Sequence, residues 1–61
     1  GVLRMISVPQ IAKKYNLNAV TVWRVSKTIE PDMKVRRGSR YWRYYDEERF
    51  VEELRKRGYI D

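Results

Sequence analysis

Four arginines, Arg36, Arg37, Arg40 and Arg43, crowd around the dipeptide Gly38-Ser39. Guanidiniums brought so close repel one another unless an anion lies between them, and each offers a planar fork of donors that matches a phosphate. Phosphate backbone or a narrow, electronegative minor groove is the partner that this chemistry fits. Upstream, Asn18, Ala19, Val20, Thr21, Trp23, Arg24 and Lys27 mix short polar, small apolar and basic side chains at helical spacing. Asn18 and Thr21 suit hydrogen bonds to base edges or phosphates, Ala19 and Val20 suit thymine methyls, and Arg24 suits guanine or a phosphate. Catalysis has poorer material: the chain has no His and no Cys, which removes thiolate chemistry, the commonest general base, most zinc sites and disulfides. Asp46, Glu47 and Glu48 are accounted for by a helix start, so the expectation is a non-enzyme without cofactor or metal.

The elements that must hold these residues follow from periodicity. Ile11, Ala12 and Tyr15 fall on one helical face, and Val22, Val25 and Ile29 repeat at i, i+3 and i+7 on a second. Between Tyr15 and Asn18 there is room only for a tight turn that contains Leu17, so residues 8–29 read as a helix-turn-helix whose closest approach needs the small Ala12. Ser7 is placed to cap the first helix, from Val8 to Tyr15, with Gln10 completing a capping box and Pro9 tolerated in the first turn. Asn16 suits a left-handed turn residue. Asn18 caps the second helix, a role that outweighs base reading for this side chain, and the helix is expected to reach Lys27 or Ile29 before Pro31 ends it.

Met33 to Arg37 and Arg40 to Tyr45 read as two strands around the glycine turn, a wing over residues 33–45. By strand parity Tyr41, Arg43 and Tyr45 share one face, and Arg40, Trp42 and Tyr44 the other, with at least one of Trp42 and Tyr45 needed for the core. Trp23 is open to two roles, bracing the wing or touching the partner. A third helix is expected within 46–57, with Asp46 as its cap, acids in the first turn, Arg55, Lys56 and Arg57 in the last, and Gly58 beyond. Phe50, Val51 and Leu54 make its core stripe, and Tyr59 and Ile60 fold back over it. Residues 1–6 read as a lead-in, with Gly1 in place of an initiator Met marking a processed or appended terminus. The expected class is mainly α with a small β-hairpin, a single winged helix-turn-helix domain.

The 61 residues allow one small core, to which eight aromatics contribute, and the 43% hydrophobic content opposes disorder. The net charge of +6 is unevenly placed. Residues 1–31 set five cations against Glu30 and residues 32–45 five against Asp32, whereas residues 46–61 carry six acids against four bases. A polyanion is therefore attracted to the first two segments, and the acidic end faces away. Arg4, Lys13 and Lys14 fit flanking phosphates or, more commonly, a solvated face. No apolar stretch nears the ~20 residues of a membrane span and no signal-peptide pattern is present, so a cytoplasmic protein on DNA is expected.

These residues resemble a known family. SVPQIAKKYNLNAVTVWRV is similar to the opening helices of the MerR-like winged helix-turn-helix group, and RGSRYWRYYDEERFVEEL to its wing, in which a glycine turn precedes an arginine, a tyrosine and an acidic helix start. The resemblance implies that Arg43 and Tyr45 are the wing's arginine and tyrosine and that Asn18, Thr21, Trp23 and Arg24 lie on the recognition helix. Asn16 departs from the usual glycine, although asparagine also tolerates the turn. MerR regulators continue into a dimerisation helix and a small-molecule effector domain, neither of which these residues contain. The chain is thus more similar to excisionases, small phage and mobile-element proteins that bind side by side on attachment-site DNA, bend it and steer a recombinase. That similarity implies double-stranded DNA, a recombinase and neighbouring copies as partners. The DNA-binding piece of a regulator, a recombinase or a phage packaging subunit is the alternative, and a basic protein-interaction module the alternative from another class.

Overall fold

The computed structural model describes residues 4–61, which form three helices and a three-stranded antiparallel sheet. In chain order these are β1 (Met5–Ile6), α1 (Val8–Lys14), α2 (Ala19–Ser26), β2 (Met33–Arg37), β3 (Arg40–Asp46) and α3 (Glu47–Lys56). The sheet order is β1-β3-β2. The class is therefore mixed α/β. Of the expected lead-in, residues 1–3 lie outside the described residues, and Met5 and Ile6 pair with Asp46 and Tyr45. No local pattern marks so short a strand. It pairs on the edge of β3 opposite β2, covering backbone groups at the inner end of β3 that would otherwise be unpaired beside the core.

Local chemistry explains the helix ends. Gln10 accepts the Ser7 backbone N–H at 2.9 Å and the Ser7 hydroxyl at 3.1 Å, which fixes the entry to α1. α1 ends in a Schellman motif: the Leu17 N–H donates to the Ala12 carbonyl at 2.8 Å and that of Asn16 to Lys13 at 3.4 Å, with Asn16 left-handed at φ 53°. The Asn18 side-chain oxygen then accepts the Val20 N–H at 2.8 Å, so α2 begins two residues after the turn. α2 stops at Ser26, short of the expected Lys27 or Ile29. The Ser26 and Thr28 hydroxyls bond the carbonyls of Trp23 and Val25, and the backbone tightens into i to i−3 bonds from Thr28 and Ile29.

The hairpin turn has a positive φ at Gly38, 62°, and not at Ser39, the pattern of a type II′ turn that matches strand twist. Asp46 occupies the N-cap position of α3 but makes no capping bond with its carboxylate, contrary to expectation, because its backbone still belongs to β3. The first donors go elsewhere: the Asp46 N–H to the Asp32 carboxylate at 2.8 Å, and the Glu47 N–H to the Arg4 carbonyl at 2.9 Å. A second Schellman motif closes α3 through Gly58 and the Tyr59 N–H, which reaches the Leu54 carbonyl at 3.0 Å.

The core lies between the helices and the inner end of β3. Ile6, Ile11, Ala12, Val22, Val25, Tyr45, Phe50 and Leu54 are buried, with the Tyr45 and Phe50 rings edge to face at 5.1 Å. Ala12 is among them, as a close crossing of α1 and α2 requires. Ile60 packs against this cluster, but Tyr59 does not cover it and stays exposed, and Val51 is only half-buried. Among the described residues no helix is long and apolar enough to cross a membrane.

Candidate nucleic-acid interface

Opposite the buried Val22 and Val25, α2 presents Ala19, Val20, Trp23 and Arg24 to solvent, with Lys27 at its cap. Val20 is 54% and Trp23 49% exposed, far more than a core role allows for residues so apolar. Thr21 is half-buried at the edge of this face. Asn18 also lies there, but its side-chain oxygen is committed to the cap. The Lys27 ammonium sits 3.6 Å above the Trp23 ring, a cation–π contact that pins both side chains on the outer surface.

The hairpin register decides where the arginines point. Lys34 is opposite Arg43 and Arg36 opposite Tyr41, so these residues share the face on which Tyr45 turns into the core. Met33 with Tyr44, Val35 with Trp42 and Arg37 with Arg40 form the other face. The four guanidiniums are therefore divided between two faces rather than gathered around one anion. The first set joins α2. A groove is bordered by Pro9, Trp23, Tyr41 and Arg43, with Trp42 also bordering it, and a second by Lys27, Lys34, Arg43 and Tyr45. Trp23 thus lines the junction of α2 and the hairpin while keeping half its surface free.

One expected site residue is displaced by the structure. Tyr45 is only 2% exposed, its ring packs on Phe50 and its hydroxyl donates to the Ser26 carbonyl at 3.3 Å, so it belongs to the core and supports the interface from behind. Lys34 was absent from the expected set; only the register that sets it opposite Arg43 reveals it.

Ion pairing separates the two sides of the molecule. Lys14 pairs with Glu47 at 2.6 Å, Arg49 with Asp32 at 3.0 Å, Arg55 with Glu52 at 3.3 Å and Arg57 with Glu53 at 3.7 Å. All of these involve α3 or its cap. Among the described residues, none of Arg24, Lys27, Lys34, Arg36, Arg37, Arg40 and Arg43 has a carboxylate within 4.0 Å, although Arg36 steadies the turn by donating to the Gly38 carbonyl at 3.2 Å. Like charges directly across a strand pair, as at Lys34 with Arg43 and Arg37 with Arg40, are destabilising. Among the described residues no carboxylate within 4.0 Å offsets that repulsion.

Glu47 shows the opposite logic. Its Oε2 also accepts the Tyr15 hydroxyl at 2.9 Å, and the bonds from Lys14 and Tyr15 hold its carboxyl below the ordinary value. Burial, then the bond to Glu47, pushes the Tyr15 phenol up. This cluster joins the end of α1 to the start of α3, away from the basic face. No protein-family model matches the chain, and no curated protein or solved structure matches it at a significant level.

Proposed function

We propose that this chain is a double-stranded DNA-binding domain of the winged helix-turn-helix type, with α2 in the major groove and the hairpin on the adjacent backbone and minor groove. The observation that carries the reading is that the cations of α2 and of both hairpin faces have, among the described residues, no carboxylate within 4.0 Å, beside a helix whose outer face is exposed. α2 is an eight-residue helix, and a major groove about 12 Å wide admits a helix about 10 to 12 Å across. Ala19, Val20, Thr21 and Arg24 are the base-reading set, while Lys27, Arg36, Arg37, Arg40 and Arg43, with Lys34 added, bind phosphate or the minor groove. Trp23 buttresses the junction between them.

Within that reading, the resemblance to excisionases favours an architectural factor for site-specific recombination. It would bind DNA beside further copies and a recombinase, and catalyse nothing itself. The DNA-binding piece of a MerR-like regulator is the second reading.

Selection of randomised duplex DNA against the protein, read for sequence and spacing, tests both. A defined site in closely spaced direct repeats supports the architectural role, and one isolated half-site supports the regulator. Absence of enrichment, with weak duplex binding even at low salt, would refute sequence-specific recognition and leave a basic module for an acidic partner.

A further inference from the structure

The hairpin face opposite the one that carries Tyr45 holds two arginines, Arg37 and Arg40, that the duplex reading assigns to phosphate, and an indole, Trp42, that it leaves without a DNA contact. Trp42 lies at its centre, 46% exposed, with Val35 directly across the strand pair and Met33, itself exposed, beside the half-buried Tyr44. None of these four packs against the hydrophobic core. The Arg37 guanidinium is 5.6 Å from the Trp42 ring centroid, and Arg40 is across from Arg37. Neither arginine has a carboxylate within 4.0 Å among the described residues.

An exposed indole on a strand, flanked by cations, has the chemistry that holds an unpaired base: a π-face for stacking and positive charge for the phosphates on either side. A stacked duplex offers no free base face, so the indole has no duplex partner to stack on, while the two arginines can serve the phosphates of either form. A second copy of the chain is a poorer occupant. The same face on a second copy would bring like charges together, and of the four α3 acids three, Glu47, Glu52 and Glu53, are already paired within the chain, leaving Glu48 alone to meet two arginines. We infer that the outer hairpin face, through Trp42 with Arg37 and Arg40, binds single-stranded DNA by stacking an unpaired base on the indole.

The proposal goes beyond duplex recognition and does not depend on it. Its test is binding of a twelve-nucleotide oligothymidylate, compared with an abasic strand of the same length and with a duplex at the same salt. The proteins are the wild type, Trp42→Ala, Trp42→Phe and Trp23→Phe, the last leaving Trp42 as the sole indole.

In Trp23→Phe, oligothymidylate should quench the remaining fluorescence and the abasic strand should not. Trp42→Ala should weaken oligothymidylate binding about tenfold, Trp42→Phe should retain most of it, and duplex affinity should change less than twofold. Equal binding of the abasic strand and oligothymidylate by the wild type would overturn the proposal, as would equal losses on single strand and duplex. A dimer in sedimentation that Trp42→Ala dissolves would assign the face to a second copy instead. Failure of duplex binding with intact, Trp42-dependent oligothymidylate binding would refute the duplex reading alone.

Discussion

If the proposed duplex complex forms, Tyr45 either touches the DNA or only holds the proposed surface in place, and two substitutions separate the roles. Tyr45→Phe keeps the ring against Phe50 and removes only the hydroxyl bond to the Ser26 carbonyl. That bond is long, 3.3 Å, and the same carbonyl also accepts the Ile29 N–H at 3.3 Å, so its loss orphans no acceptor. The cost should fall at the low end for a hydrogen bond, about 0.5 to 1 kcal/mol. For a domain of this size that lowers Tm by about 2 to 8 °C. Tyr45→Ala also empties the ring site, at about 3 to 5 kcal/mol by analogy with other buried aromatics. At about 0.05 to 0.15 kcal/mol per residue, the whole domain has only about 3 to 9 kcal/mol of stability. The alanine variant should therefore lose from about a third to all of that stability. Circular dichroism melts give the stability, and fluorescence anisotropy on a selected duplex, corrected for the folded fraction, gives the affinity. Tyr45→Phe should bind the duplex as the wild type does. A phenylalanine variant with unchanged Tm and severalfold weaker duplex binding would refute the reasoning, since the hydroxyl would then act at the DNA.

Other expectations are narrower. Arg24→Ala should reduce discrimination between the selected site and unrelated duplex by about 1 to 3 kcal/mol, whereas Arg40→Ala should weaken all duplexes and lower the salt slope by about 1; the same loss on every sequence from both would remove the division of labour. The contribution of Glu47 to stability should be fully present above its ordinary pKa of 4.5 and lost as pH falls through its lower folded value. Acid titration of Glu47→Gln should show a flatter decline in that range, and an unchanged profile would mean that the bonds to Lys14 and Tyr15 do not stabilise the fold. Asn16→Gly should melt at or above the wild-type temperature and Asn16→Ala should lose on the order of 1 kcal/mol, because alanine is penalised in the left-handed conformation; equal melts would contradict that conformation.

The sequence by itself determined the features that depend on near neighbours. The α1 start, the left-handed Asn16, the Asn18 cap, the glycine-led hairpin turn and the amphipathic α3 each rest on residues within one or two turns of chain, so composition and spacing suffice to read them. Parity also sorted β3 into its two faces, but not which of them turned inward. Only the tertiary structure decided that Tyr45 is core and Trp42 exposed, because β1 and α3 close over the same end of β3. It also set which β2 cations share a face with which β3 arginines, Lys34 and Arg36 with Arg43 and Arg37 with Arg40, since register depends on pairing across the turn. The Asp32 carboxylate, shared by the Asp46 N–H and Arg49, and the Lys14–Glu47–Tyr15 cluster were equally hidden. They join residues far apart in sequence and commit Glu47 and Asp32 to Lys14 and Arg49, while among the described residues no carboxylate lies within 4.0 Å of the cations of α2 and the hairpin.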